Sequence, residues 1–138
     1  MFPTALELGI GIMAYGPMAH GLLTGTFTAG TTFLDSDWRS RGDAVGQALF
    51  TTENFPRNVA VADRLKDVAA RLDTTLPKLA IAWVLSNPAV SVALLGTRTS
   101  SEIEHNVGAL DVKLDQATLD DFDQIMLGAA DKVERAPV

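Results

Sequence analysis

Apolar and polar positions change rhythm several times along this chain, and each change marks an element. Residues 8 to 34 contain no Asp, Glu, Lys or Arg. Within them, Ile10-Gly11-Ile12-Met13-Ala14-Tyr15 is continuously apolar rather than alternating, which predicts a short strand covered on both faces, as in a parallel sheet. A membrane helix is the competing reading of such a stretch. Pro17 and glycines such as Gly9, Gly11 and Gly16 argue against it, because they break helices and leave backbone groups unsatisfied in lipid. The strand runs into a glycine-rich loop, and the charged segment Asp35 to Asp43 around Trp38 reads as loop too.

Helical spacing takes over at Asn58 to Leu72, where Val61, Leu65, Val68 and Leu72 share one face and Asp63, Lys66, Asp67 and Arg71 lie between them. Thr74-Thr75-Leu76-Pro77 supplies a cap and a first-turn proline for a helix over Lys78 to Ser86, apolar nearly all round and so mostly buried. Asn87-Pro88 ends it. Ser91 to Leu95 is a second short strand, closed by Gly96. Thr99-Ser100-Ser101-Glu102 matches a capping box opening a helix through Ile103, Val107 and Leu110. A last helix starts near Asp115 and stops at Gly128. Alternation of this kind predicts α/β architecture, yet two strands are too few to build a sheet with its own core.

Length sharpens that point. With 138 residues the chain holds one domain, 1–138, whereas a complete eight-stranded α/β barrel needs roughly 250. Apolar residues make up 47%, greasy enough to suggest that part of the surface expects a partner. Eleven basic against 17 acidic residues give a net charge of −6, which repels phosphate backbones and anionic lipid, so neither nucleic acid nor membrane is an expected partner. There is no cysteine, hence no disulfide, thiol nucleophile or thiolate metal site. The N-terminal Met1 to Glu7 lacks the basic head of a signal peptide, and a cytoplasmic location is expected.

Among chemical signals, the turn Gly96-Thr97-Arg98 before the capped helix start at Thr99 is the strongest. Unpaired N–H groups at a helix start beside a cation suit a phosphate. The alternative is that Thr99 and Glu102 only cap a helix and Arg98 is a surface charge. Gly9-Ile10-Gly11-Ile12-Met13-Ala14 imitates a dinucleotide fingerprint but lies before and inside a strand, not between strand and helix, and is set aside. Tyr15, the single tyrosine, ends the first strand. It is either placed to stack on a flat ring or an ordinary core aromatic. His20 and His105 have no ligand spacing, so no metal is expected. No nucleophile elbow supports Ser/His/Asp catalysis. Asp120, Asp121 and Asp123 read as a solvated helix face, and Trp83 as core.

Taken together, Leu8 to Met18 followed by Gly21-Leu22-Leu23-Thr24-Gly25 resembles the aldo-keto reductase segment around barrel strand seven. Glu53-Asn54-Phe55 with Asn58, and Leu79 to Leu85, resemble the family's next two landmarks; Leu95-Gly96-Thr97-Arg98 with Asn106 and Ala109 is similar to its eighth strand and 2′-phosphate loop. The resemblance implies a partial (β/α)8 TIM barrel, strands seven and eight with flanking helices. It implies NADP(H) as cofactor and an aldehyde or ketone as substrate. By it, Tyr15 stacks on the nicotinamide and Gly16, Pro17, Met18, Ala19 and His20 follow the ribose and pyrophosphate. Gly96, Thr97, Arg98 and Glu102 belong to the adenosine-side phosphate loop, and Asn106 meets the adenine. The family's general-acid tyrosine, with its lysine, aspartate and histidine, falls in the N-terminal half, so by this resemblance the chain carries no catalytic residue.

Three positions depart from the family pattern. Glu102 stands where relatives often have Gln or Arg, His105 where Glu is usual, and Thr26 where many have Lys; Arg39 or Arg41 is placed to compensate. Three readings follow: the cofactor-holding part of a reductase completed by a missing barrel half, a non-catalytic nucleotide-binding module, or a self-associating remnant with exposed strand edges.

Overall fold

The computed structural model describes residues 1–42 and 46–129; Asp43, at the end of the charged segment read as loop, lies outside the described residues. In chain order the elements are α1 (Phe2–Glu7), β1 (Ile12–Tyr15), a kinked 3-10 segment (Ala19–Thr24), a 3-10 turn (Trp38–Arg41), α2 (Asn54–Arg71) and α3 (Leu76–Leu85). After these come β2 (Val90–Leu94), α4 (Ser100–Val107), a 3-10 turn (Gly108–Asp111) and α5 (Gln116–Met126).

Differences from the sequence-based boundaries have local causes. β1 begins at Ile12 rather than Ile10, because the Ile10 N–H turns back to the Ala5 carbonyl at 2.8 Å behind α1. α2 begins at Asn54 rather than Asn58, because Thr51 caps it: its hydroxyl accepts the Asn54 N–H at 3.1 Å and its carbonyl the Phe55 N–H at 2.8 Å. Thr75 occupies the N-cap of α3 with extended backbone, but its side chain does not cap that helix; its hydroxyl hydrogen-bonds His105 Nε2 at 2.8 Å and ties α3 to α4.

The two strands pair in parallel, Met13 with Val92, Ala14 with Ala93 and Tyr15 with Leu94, with a bulge between Ile12 and Met13. Only one face is covered. α3 packs behind β2, whereas Met13, Tyr15, Val92 and Leu94 lie together on the other face at 60%, 76%, 41% and 39% exposure. The expectation of strands buried on both sides is therefore corrected: continuous apolar character provides for a second layer that these residues do not supply. Among the described residues β1 and β2 pair only with each other, so both outer edges are open.

Behind the sheet, α2, α3 and α5 close one core around Leu65, Val68, Leu79 and Phe122, all almost fully buried. Each such side chain contributes about 1.5–3 kcal/mol relative to an exposed one. Trp83 is half-buried and stacks on Phe122, its ring centroid 4.6 Å away and the planes 15° apart. Its indole N–H donates to Asp123 Oδ1 at 3.1 Å, so Asp123 is more than a solvated charge. Asp120 and Asp121 do lie on the exposed face, bonded to Gln116 and Arg71.

A second cluster, Leu22, Phe50, Phe55 and Val59, packs against Phe27 and Phe33. Edge-to-face pairs such as Phe27–Phe33 at 5.4 Å and Phe33–Phe50 at 5.5 Å give the long loop a core of its own. Arg39 lies over the Phe33 ring at 4.9 Å while Asp37 takes its Nη2 at 2.6 Å. None of the described helices is long and apolar enough to cross a membrane.

Candidate functional site

Parallel pairing brings the C-terminal ends of both strands to one edge, with Tyr15 opposite Leu94. The loops that follow, from Gly16 and from Leu95, open there and enclose a cleft of about 840 Å³. Every residue assigned to the cofactor by sequence lines this cleft except Ala19 and Thr97, which lie in the same two loops. The chain thus joins two segments far apart in sequence into one concave surface.

At one end stands Tyr15, 76% exposed on the same uncovered sheet face as Met13, Val92 and Leu94. His20, which also lines the cleft, meets Tyr15 edge-on at 6.1 Å and is backed by Trp38 at 5.3 Å. The backbone beneath is unusual: Ala19, His20 and Gly21 are consecutively left-handed, with φ of 47°, 55° and 106°. Two non-glycine residues in that region cost free energy, and such strain gathers at functional sites. Gly21 is required there, since a Cβ would stand 3.2 Å from Phe27 and 3.3 Å from Arg39 Nη1.

Loop residues following this turn complete the middle. Thr24 donates to the Gly21 carbonyl at 2.6 Å and shares a 2.9 Å hydrogen bond with Thr26. Arg39 lines the cleft and Arg41 does not, which singles out one of the two candidate cations, although Asp37 already holds it through Nε and Nη2. Side-chain donation from Arg39 keeps the Asp37 carboxyl below its usual range. Sequence reading missed this wall because its signal, four phenylalanines scattered through residues 27 to 55, has no period.

The far end is built on the start of α4. Thr99 accepts the Glu102 N–H at 3.2 Å, half of a capping box. The other half differs from the expectation. Glu102 Oε2 accepts the Arg98 N–H at 2.7 Å, and its Oε1 pairs with Arg98 Nη2 at 3.1 Å. Those bonds, the backbone N–H foremost, hold the Glu102 carboxyl below its ordinary value. Asn106 is buried at the cleft floor, and His105 stands beside it on Thr75. No group of three or more His, Asp or Glu arranged for a metal occurs among the described residues.

Comparison with known proteins fits this architecture. Residues 1–126 match the Aldo/keto reductase family. The chain is 30% identical over 113 residues to an aldo-keto reductase of Schizosaccharomyces pombe whose name carries NADP(+), covering 82% of this chain and 32% of that one. It is 29% identical over 117 residues to the NADH-specific methylglyoxal reductase of Escherichia coli, covering 85% and 34%. A glycerol dehydrogenase structure from Gluconobacter oxydans superposes with a TM-score of 0.84 at 24% identity, over 100% of this chain and 41% of that chain. This chain belongs to the aldo/keto reductase family, and its two strand–helix units form part of a (β/α)8 barrel. It spans about a third of the length of the curated relatives it matches.

Proposed function

We propose that this chain holds NADP(H) in the cleft for the reduction of aldehydes or ketones, the proton-donating group coming from barrel segments outside these 138 residues. The observation that carries the reading is the convergence of Tyr15, the left-handed turn at Ala19 to Gly21, and the Arg98 loop on one groove of a family barrel. When bound, the cofactor supplies the hydride. The residues here bind and orient. Tyr15 presents a flat, solvent-open ring for stacking on the nicotinamide. Gly16 to His20 offer backbone close to the ribose and pyrophosphate, Arg98 and the start of α4 offer charge and N–H donors to the adenosine-side phosphate, and Asn106 offers an amide to the adenine. The residues present fit such a group.

Titration of the chain with NADPH, following Trp38 and Trp83 fluorescence with NADH as control, tests this. Saturable quenching by dinucleotide supports it, and a folded chain that binds neither overturns it.

A second reading is favoured by the uncovered apolar sheet face: the chain associates through that face, with itself or with the complementary barrel half. Sedimentation decides it, because a monomer at every concentration excludes self-association.

A further inference from the structure

Resting on the cofactor reading, we infer that Glu102 sets the chain's selectivity between NADPH and NADH by holding Arg98 as an internal anion in the place a 2′-phosphate would take. A phosphate arriving at this loop would seek two donors, the Arg98 guanidinium and the Arg98 N–H at the entry to α4. One carboxylate meets both: Oε2 takes the backbone N–H at 2.7 Å, and Oε1 takes one N–H of the guanidinium, at Nη2, at 3.1 Å.

Arg39, the other arginine lining the cleft, is already held by Asp37 at 2.6 Å. A dianionic 2′-phosphate therefore either shares the Arg98 guanidinium with Glu102 or displaces it from the backbone N–H, and in both cases it sits beside that negative charge. The unphosphorylated ribose meets no such conflict: its 2′-hydroxyl donates to a carboxylate, as acidic residues do in NAD sites on other folds. Glu102 thus opposes NADPH and favours NADH, while Arg98 does the reverse. Because Arg98 is 90% exposed and Glu102 38%, solvent screens the pair, and the two preferences come out close.

Titrations of the 138-residue chain and its Glu102→Gln and Arg98→Ala variants with NADPH and NADH, at 0.05 M and 1 M salt, test the proposal. The unaltered chain should bind the two dinucleotides within about tenfold of each other, a gap of about 1.4 kcal/mol. Glu102→Gln should tighten NADPH by about three- to tenfold and leave NADH unchanged or slightly weaker, since glutamine frees Arg98 without its charge. That gain should shrink at high salt, where the Debye length falls to about 3 Å. Arg98→Ala should weaken NADPH and spare NADH. A Glu102→Gln variant that binds both cofactors as the unaltered chain does overturns the proposal and leaves the cofactor site standing. Should Glu102→Gln fail to fold, the Arg98→Ala chain decides: equal loss of both cofactors overturns the proposal. A folded, unaltered chain that binds neither dinucleotide overturns the cofactor site and this proposal together.

Discussion

Trp83 lies flat on Phe122, the ring planes 15° apart and the centroids 4.6 Å apart, and so locks the last helix onto the third. Phe122 is 1% exposed and belongs to the core of α2, α3 and α5. Truncating it leaves a cavity that neighbouring helices fill only in part. Phe122→Ala should cost about 3–5 kcal/mol in urea unfolding, with a shift in Trp83 fluorescence.

Gly21 provides a sharper test of the turn. With φ of 106° and a Cβ position 3.2 Å from Phe27, a valine there has neither the backbone conformation nor the space. Gly21→Val should destabilise the chain by about 1–3 kcal/mol in thermal unfolding and abolish dinucleotide binding. Unchanged binding would show that the left-handed turn is not needed for the cleft.

Tyr15 should behave in the opposite way. Its exposed ring supports no core, so Tyr15→Ala should change stability by less than about 0.5 kcal/mol. Dinucleotide affinity should fall, and Tyr15→Phe should restore most of it, because stacking uses the ring and not the hydroxyl. Equal affinity in all three chains would remove Tyr15 from the site.

Acid should loosen the loop and helix starts together. Asp37, Glu102 and Asp115 have folded-state carboxyl pKa values below the ordinary 3.8, 4.5 and 3.8, held there by donation from Arg39, from the Arg98 N–H and from Thr118. The unfolded chain binds protons more readily at these groups, so their stabilising contribution is complete above the ordinary values and is lost as pH falls through the lowered ones. Denaturation midpoints should be flat near neutrality and drop below pH of about 4.5. The Asp115→Asn chain, which keeps a capping side chain without a titrating one, should lose part of that slope.

Self-association is expected to follow the open sheet face. Met13 and Val92 face one another in register at 60% and 41% exposure. Sedimentation should show mass rising with concentration, and Met13→Lys with Val92→Lys should shift the chain toward monomer by placing like charges on the face. Monomer throughout, with cooperative unfolding, would refute it.

Much of this molecule is legible from local pattern. α3 and α5 are found within a residue or two from Pro77 and Asp115, and the start of α4 from the Thr99 cap, since caps and periodicity are properties of neighbours in sequence; α4 itself ends at Val107, where a 3-10 turn carries the chain past Leu110. Both strands are visible as apolar runs, and Tyr15 and Arg98 as residues at strand ends. Thr75 shows the limit. Its sequence position makes it a cap, and only the arrival of His105 from α4 diverts its hydroxyl. Likewise Glu102 completes a capping box on paper, while in three dimensions the nearer Arg98 N–H and guanidinium take its carboxylate.

The sequence by itself determined both strands, the helices α2 to α5 in their order, and the family, but not α1. It did so because helix caps, apolar periods and strand-end motifs act over a few residues. Tertiary structure decided which of those residues meet. Parallel pairing of β1 with β2 put the Tyr15 and Arg98 loops on one cleft, aromatic packing among Phe27, Phe33 and Phe50 held the loop that brings Thr24, Thr26, Phe27 and Arg39 to its wall, and the Met13–Val92 face was left uncovered. Contacts of that kind join positions distant in sequence, and the free energy that selects among them lies in packing and charge pairing that no local pattern encodes.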